Sequence, residues 1–143
     1  MREIRWSHSG HRLLLPVAVL PSAAAENAHD IKVVDALIDT GATGTGLRPD
    51  VAAALNVPGR GKRRVVTANG DMLVPEYRIR IGFYCGNFDD LPQAEGNPYV
   101  LEFGLLVHAL RDNFAYAMLI GMDVMSRCDL RLRRDCSVVL SLP

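Results

Sequence analysis

Apolar side chains along this chain fall in short runs, in which they alternate with polar residues or are β-branched. Such runs are typical of β-strands with one buried face, particularly when Gly, Pro, Asn or Asp bounds them. The predicted strands cover residues 12–20, 31–38, 63–68, 72–81, 99–108, 116–120 and 138–142. The pattern therefore predicts an all-β protein with a mostly antiparallel sheet.

Two short segments have the pattern of helices instead. Pro49 suits the first turn of a helix over residues 51–55, and Gly59 lies beyond its end. Asp123 can cap a second short helix over residues 124–127. One or two short helices are therefore expected beside the strands.

The chain has the size of one compact domain. Its 143 residues can enclose a core, and the segment 85–98, rich in Gly, Asn, Asp and Pro, is predicted to be a surface loop. No repeat or linker divides the sequence. We expect one domain over residues 12–143, preceded by an N-terminal extension over residues 1–11.

Charge and cysteine content argue against several classes of partner. Lys+Arg and Asp+Glu number 16 each, so no net field would attract nucleic acid or a membrane surface. The apolar run over residues 13–20 is too short to span a bilayer, and three cysteines without paired spacing favour free thiols in a reducing cytoplasm. The one basic cluster is interpreted as the solvated flank of a turn rather than a phosphate site; it consists of Arg60, Lys62, Arg63 and Arg64.

Metal and covalent chemistry have little support in the sequence. His8 and His11 are spaced like a metal pair, but no Cys-x-x-Cys or Cys-x-x-His motif accompanies them. The serines lack a nucleophile elbow, and Cys128 has no histidine near it in sequence. We therefore expect neither a metal nor another cofactor.

The strongest chemical feature follows the predicted strand over residues 31–38, which ends at Asp39-Thr40-Gly41. A carboxylate at the end of a buried strand is costly unless hydrogen bonds hold it or its charge is used. Gly41 lets the backbone approach closely, and Thr40 adds a hydroxyl group. Alone, the tripeptide is weak evidence, because chance should produce it in roughly one chain of this size in sixty.

Further along the chain, two segments add to this feature. Residues 64–74 form two apolar runs joined through Asn69-Gly70, a strong hairpin signal because both residues accept positive φ at low cost. The run Ala-Met-Leu-Ile-Gly over residues 117–121 predicts a strand at whose end Gly121 leaves room for another loop.

The C-terminal run over residues 137–142 is apolar. An exposed apolar edge strand invites aggregation, so this strand needs a partner. A strand of a second subunit and a strand of the domain's own sheet explain the run equally well.

Taken in order, these segments resemble the active-site loop, the flap, the Ile-Gly strand and the terminal strand of retropepsin-like aspartic proteases. The resemblance covers roughly residues 12–142. It implies a mostly antiparallel, closed or partly open barrel with one or two short helices. Viral members usually have Arg directly after the glycine that corresponds to Gly121. This chain has Met122 there, so the ion-pair network around that Arg is not expected here.

The resemblance also implies which residues form the site. The catalytic residues would be Asp39, Thr40 and Gly41. Substrate would bind to Ala42, Thr43 and the flap tip, which consists of Thr67, Ala68, Asn69, Gly70 and Asp71. Ile120 and Gly121 would support the loop, and Thr45 would either brace it or act as an ordinary loop hydroxyl.

The chemistry requires two chains. Hydrolysis needs one group to take a proton from water and another to protonate the carbonyl oxygen, yet the sequence contains one Asp-Thr-Gly loop. A symmetric homodimer that brings Asp39 from each subunit to a twofold axis would supply the second carboxylate. The substrate would be an extended polypeptide. The alternative is a non-catalytic dimeric module that binds peptides or scaffolds a complex with the same fold.

Overall fold

The computed structural model describes residues 2–143, apart from the side chain of Thr67. The strands are β1 (Glu3–Ser7), β2 (Leu14–Pro21), β3 (Lys32–Ile38), β4 (Gly46–Leu47), β5 (Lys62–Thr67), β6 (Gly70–Phe83), β7 (Gly86–Asn87), β8 (Tyr99–Val100), β9 (Leu105–Ala109), β10 (Met118–Ile120), β11 (Asp129–Leu132) and β12 (Ser137–Ser141). The helices are α1 (Pro49–Ala54) and α2 (Met122–Met125).

The larger sheet has eight strands and is mixed. Its order is β2-β3-β10-β4-β9-β6-β5, with β8 paired to β6. β2 also pairs with β6, so the strand order returns on itself as a partly closed barrel. Most pairings are antiparallel, but β10 runs parallel to β3 and β4 runs parallel to β9. The parallel pair places the ends of β3 and β10 side by side, and the antiparallel pairing of β4 with β10 brings the start of β4 next to them.

A second sheet of four strands joins the two ends of the chain, in the order β11-β12-β1-β7. β12 lies between β1 and β11 and is antiparallel to both. The C-terminal run is therefore a strand of the domain's own sheet. Ile4 and Trp6, which fall in the predicted N-terminal extension, are buried on β1.

Buried aliphatic residues from both sheets and both helices form one main core. β6 supplies its largest block, because alternate residues of its second half point inward. The largest fully buried side chains include Phe83, Ile4, Leu15, Leu47, Ile79, Ile81 and Leu101. α1 buries Val51 and Ala52 against this core.

Most predicted elements form within one or two residues of their expected bounds. Pro49 begins α1 as predicted. One predicted strand is wrong in extent, because residues 99–108 divide into β8 and β9 at a bend formed by Glu102 and Phe103. In the predicted surface loop over residues 85–98, β7 pairs with β1.

Candidate active site

Asp39 lies immediately after β3, at the point where that strand meets β10. Ile38 is paired with Ile120, and the Asp39 N–H donates to the Ile120 carbonyl oxygen at 2.9 Å. Because Ile120 is fully buried, this bond anchors the start of the loop to the core. The carboxylate is thus held at the edge of the barrel.

The loop after Asp39 folds back on its own carboxylate. The Gly41 N–H donates to Asp39 Oδ1 at 2.9 Å, and the Ala42 N–H donates to the Asp39 carbonyl at 3.1 Å. A side chain at residue 41 would place its Cβ 3.2 Å from Asp39 Oδ1, which is a tight contact. Among the residues that the structure describes, no other group donates to the Asp39 carboxylate, and none bonds the exposed Thr40 hydroxyl. Asp39 and Thr40 therefore keep hydrogen-bonding capacity that the described residues do not use.

Gly121 is the point at which the loop presses against the start of α2. A Cβ at residue 121 would lie 2.6 Å from the Gly44 carbonyl oxygen and 2.9 Å from that of Ala42. The loop carbonyls accept from the helix, since the Met122 N–H donates to Ala42 at 2.8 Å and the Asp123 N–H donates to Thr43 at 3.1 Å. Two otherwise unpaired N–H groups of the first helical turn are satisfied in this way.

Thr45 and Asp123 connect the loop to α2 by side-chain hydrogen bonds. The fully buried Thr45 donates its hydroxyl to Asp123 Oδ1 at 2.7 Å and its N–H to Oδ2 at 3.0 Å. Its hydroxyl also accepts from the Gly121 N–H at 3.2 Å. Asp123 was predicted to be the cap of a helix and not part of the site, because the bond to Thr45 joins residues 78 positions apart. The cap prediction is wrong, since Gly121 is the N-cap and Asp123 lies in the first turn of α2. The position of Asp123 in the first turn of α2 was the sequence signal that could have indicated its role in the site.

The predicted flap is the hairpin of β5 and β6. Thr67 pairs with Gly70, so the connecting turn consists of Ala68 and Asn69 rather than Asn69-Gly70 as predicted. Gly70 has φ +105°, the positive value that this residue type tolerates. The turn is therefore displaced by one residue from its predicted place.

Two clefts flank this hairpin. The first, about 750 Å³, lies between the loop residues 41–44, the flap strand residues 63–66, β9 and α2. We call it the loop cleft. The second, about 790 Å³, lies between the hairpin and the residues 108–114, and we call it the apolar cleft.

The predicted substrate residues divide between these clefts. Ala42 and Thr43 line the loop cleft, whereas Ala68 and Asn69 line the apolar cleft. Gly70 and Asp71 belong to the lining of neither, and the side chain of Thr67 lies outside the described structure.

Arg63 and His108 connect the flap base to the loop. Arg63 Nε donates to Glu76 at 2.7 Å, and its Nη2 donates to the Leu106 carbonyl at 2.9 Å. His108 lies on β9 opposite Gly46, and its backbone N–H donates to the Thr45 carbonyl oxygen at 3.2 Å. Burial, followed by the positive charge of Arg63, lowers the pKa of His108, although Asp123 and Glu76 act in the opposite direction. The imidazole between loop and flap is therefore neutral at neutral pH.

Asp39 and Thr40 open onto a third cleft, about 470 Å³, on another side of the loop. His8, His11, Arg12 and Leu132 line it with them. Leu132 is 57% exposed. We call this surface the Asp39 face.

No cluster of three or more His, Cys, Asp or Glu that could hold a metal ion occurs in residues 2–143. Neither of the short helices found there is long and apolar enough to cross a membrane.

Comparison with known sequences gives one family. Residues 26–124 match the family described as aspartyl protease, and this segment contains the loop, the flap and Gly121. No curated protein sequence matches the chain.

Comparison with solved structures gives the fold. A retropepsin-like aspartic protease from Rickettsia conorii aligns with a TM-score of 0.62 at 18% identity, covering 98% of this chain and 90% of that one. EIAV protease complexed with the inhibitor HBY-793 aligns at 0.48, with 16% identity and coverages of 82% and 88%. A protein of unknown function from Legionella pneumophila aligns at 0.38, with 17% identity and coverages of 84% and 87%. The first alignment confirms the predicted retropepsin-like fold.

Proposed function

The chain belongs to the aspartyl protease family, and on this premise we propose that it is an aspartic-type endopeptidase that works as a homodimer. The geometry of the Asp39 loop is the observation that carries the proposal. One carboxylate oxygen accepts from the Gly41 N–H, and Asp39 and the exposed Thr40 line an open cleft. This is half of an acid–base site, presented at a surface.

A second copy of the chain supplies the other half. Two Asp39 carboxylates about 3 Å apart repel by about 5 kcal/mol at an effective dielectric near 20. The pair therefore retains one shared proton near neutral pH, so that one group is an acid while the other is a base. No second Asp-Thr-Gly sequence exists within the chain to do this.

Hydrolysis then needs no covalent intermediate. The ionised carboxylate takes a proton from a water molecule as the water oxygen attacks the peptide carbonyl carbon. The protonated carboxyl gives its proton to the carbonyl oxygen. The leaving nitrogen takes a proton from the carboxyl that received one from water, and the bond between carbon and nitrogen breaks. A hydroxyl of the tetrahedral intermediate returns its proton to the other carboxylate as the product carboxyl group forms, so the pair again holds one proton.

The Asp39 face is the proposed contact between subunits. Thr40 lies on it with a free hydroxyl, and the exposed Leu132 adds an apolar surface that a partner would cover. Contact here brings the two Asp39 side chains together, whereas contact through another surface leaves them apart.

An extended polypeptide is the proposed substrate. The loop cleft and the apolar cleft lie on either side of the flap hairpin, and successive side chains of an extended peptide point in opposite directions. The flap closes over such a chain and excludes water. The three free cysteines suit a reducing compartment, so we propose the cytoplasm as its location.

Asp39→Asn tests this proposal. The substitution keeps the size of the side chain but removes the base, so cleavage of a denatured protein should fall by roughly 10²- to 10⁴-fold. Products are measured by mass spectrometry from acid to neutral pH, beside the wild type and an Asp35→Asn control. Asp35 is exposed on the same strand and should be dispensable.

Equal products from wild type and Asp39→Asn, with both folded, would exclude Asp39 as the catalytic group. A wild-type protein that cuts nothing over the whole pH range would exclude the protease activity itself.

A further inference from the structure

We propose that the loop cleft binds an acidic side chain of the substrate and that Arg127 selects it. This inference rests on the proposed protease function, since it assigns the specificity of the same site. The cleft begins at Gly41, two residues from Asp39, so its occupant is a substrate residue close to the bond that is cut.

The charges that line the cleft are mostly positive. The flap strand contributes Arg63 and Arg64, and the segment after α2 contributes Arg127. Asp123 is the one carboxylate of the lining. The neutral His108 adds no charge at neutral pH, so three guanidinium groups face one carboxylate.

Two of these four charged side chains already bond to other groups of the protein. Asp123 accepts from the Thr45 hydroxyl and N–H and from the Val124 N–H, so its oxygens are committed to the protein. Arg63 is paired with Glu76 at 2.7 Å and bonds the Leu106 carbonyl. The oxygens of Asp123 and the charge of Arg63 are therefore already engaged within the protein, and Arg63 keeps only its remaining N–H donors for a ligand.

Arg127 and Arg64 are available. Arg127 stacks on the Phe103 ring, with its guanidinium carbon 3.9 Å from the ring centroid, and no carboxylate in residues 2–143 pairs with it. Stacking holds the guanidinium plane but leaves its N–H groups for a ligand. Arg64 reaches Asp71 only at 4.0 Å, and both side chains are largely exposed.

The rest of the lining suits a side chain with an aliphatic stem. Val65, Leu105 and Leu119 form apolar walls beside the arginines. Glutamate would pack its methylene groups on these walls and place its carboxylate between Arg127 and Arg64, where charge-assisted hydrogen bonds form. Lysine or arginine in the same place would be repelled.

Peptide binding tests this inference without requiring cleavage. A library of ten-residue peptides is incubated with Asp39→Asn protein, and the retained peptides are sequenced by mass spectrometry. Asp and Glu should be enriched over Asn and Gln by roughly two- to fivefold at one position. In the double variant Asp39→Asn with Arg127→Glu, the preference at that position should reverse to Lys and Arg.

Lys32→Glu, also on the Asp39→Asn background, is the matched control for reversal of charge. Lys32 is exposed at the far end of β3, about 20 Å of strand from Asp39, and should leave the preference unchanged. High salt should weaken the acidic preference, because the Debye length falls to about 3 Å at 1 M.

No acidic enrichment, retention of no peptide, or the same enrichment with Arg127→Glu would overturn the inference. The protease proposal fails in a different way: wild-type protein would show the acidic preference in binding and yet cleave none of the bound peptides.

Discussion

At the scale of single residues, the site depends on small groups that let the backbone approach closely. Gly121 has no room for a side chain beside the carbonyls of Gly44 and Ala42, and the buried Thr45 joins the loop to Asp123. Because these contacts fix where the loop runs, they also fix where Asp39 lies. Catalytic geometry is sensitive to displacements of this kind.

Gly121→Ala should therefore reduce activity more than the addition of one methyl group at any other glycine of the site. A Cβ 2.6 Å from a backbone oxygen forces the loop or α2 to move, which costs about 1–3 kcal/mol of stability as overpacking. We expect kcat/KM to fall by more than tenfold even where the variant remains folded. Urea unfolding and kinetics on the same preparation separate the two effects.

Gly59→Ala is the control for this change, because its Cβ would meet only Pro75 at 3.9 Å. Equal kinetics for Gly121→Ala and wild type would show that the loop does not need this close contact.

At the scale of elements, β9 lies between the flap hairpin and the active-site loop. Through β4 it contacts the loop, and through β6 it contacts the hairpin. His108 is the titratable group at this junction, and its pKa is lowered mainly by burial. The junction should therefore weaken in acid.

The sign follows from proton binding. The folded pKa of His108 lies below its unfolded value of 6.5, so the unfolded chain binds more protons. The free energy of unfolding should consequently decrease as the pH falls below about 6.5. His108→Gln should lose less stability than the wild type between about pH 7.5 and pH 5, measured by urea unfolding.

Replacing the exposed His29 by Gln provides the comparison. If His108→Gln and His29→Gln retain the same pH dependence, burial of His108 does not contribute to it.

Elements whose burial follows a local pattern were predicted well from the sequence. β3 and β6 alternate apolar and polar residues next to turn residues, so the neighbouring sequence determines which face is buried. The Asp39 loop was found for the same reason, since its strand, Asp, Thr and Gly are contiguous.

Elements that depend on distant partners were missed or misplaced. β1 is buried because Glu3–Ser7 pairs with Ser137–Ser141 at the other end of the chain. β11 is mostly exposed and shows no clear alternation. The contribution of Asp123 likewise requires a contact with Thr45 that only the folded chain creates.

At the scale of the whole molecule, the second sheet limits how two subunits can meet. β12 already has β1 and β11 on its two sides, so its edges are not open to another chain. The proposed dimer does not pair through β12 but meets at the Asp39 face, so its active site would contain one carboxylate from each subunit.

Mixed dimers provide a test of this arrangement. When wild-type protein is allowed to exchange subunits with an equal amount of Asp39→Asn, random pairing leaves about half of the wild-type chains in mixed dimers. Total activity should then fall to about half, and further with excess variant. Addition of Asp35→Asn should instead raise the total. Activity that is unchanged by added Asp39→Asn would show that one subunit is sufficient.

The central place of β1 has a consequence for the durability of the protein. Ile4 and Trp6 are paired with Leu140 and Val138, and β7 completes the other side of the strand. Removal of the first seven residues by an exopeptidase would leave β12 without its partner β1. The exposed apolar edge of β12 could then pair with the same edge of another molecule. Trimming at the amino end would thus make a stably folded protein prone to precipitate.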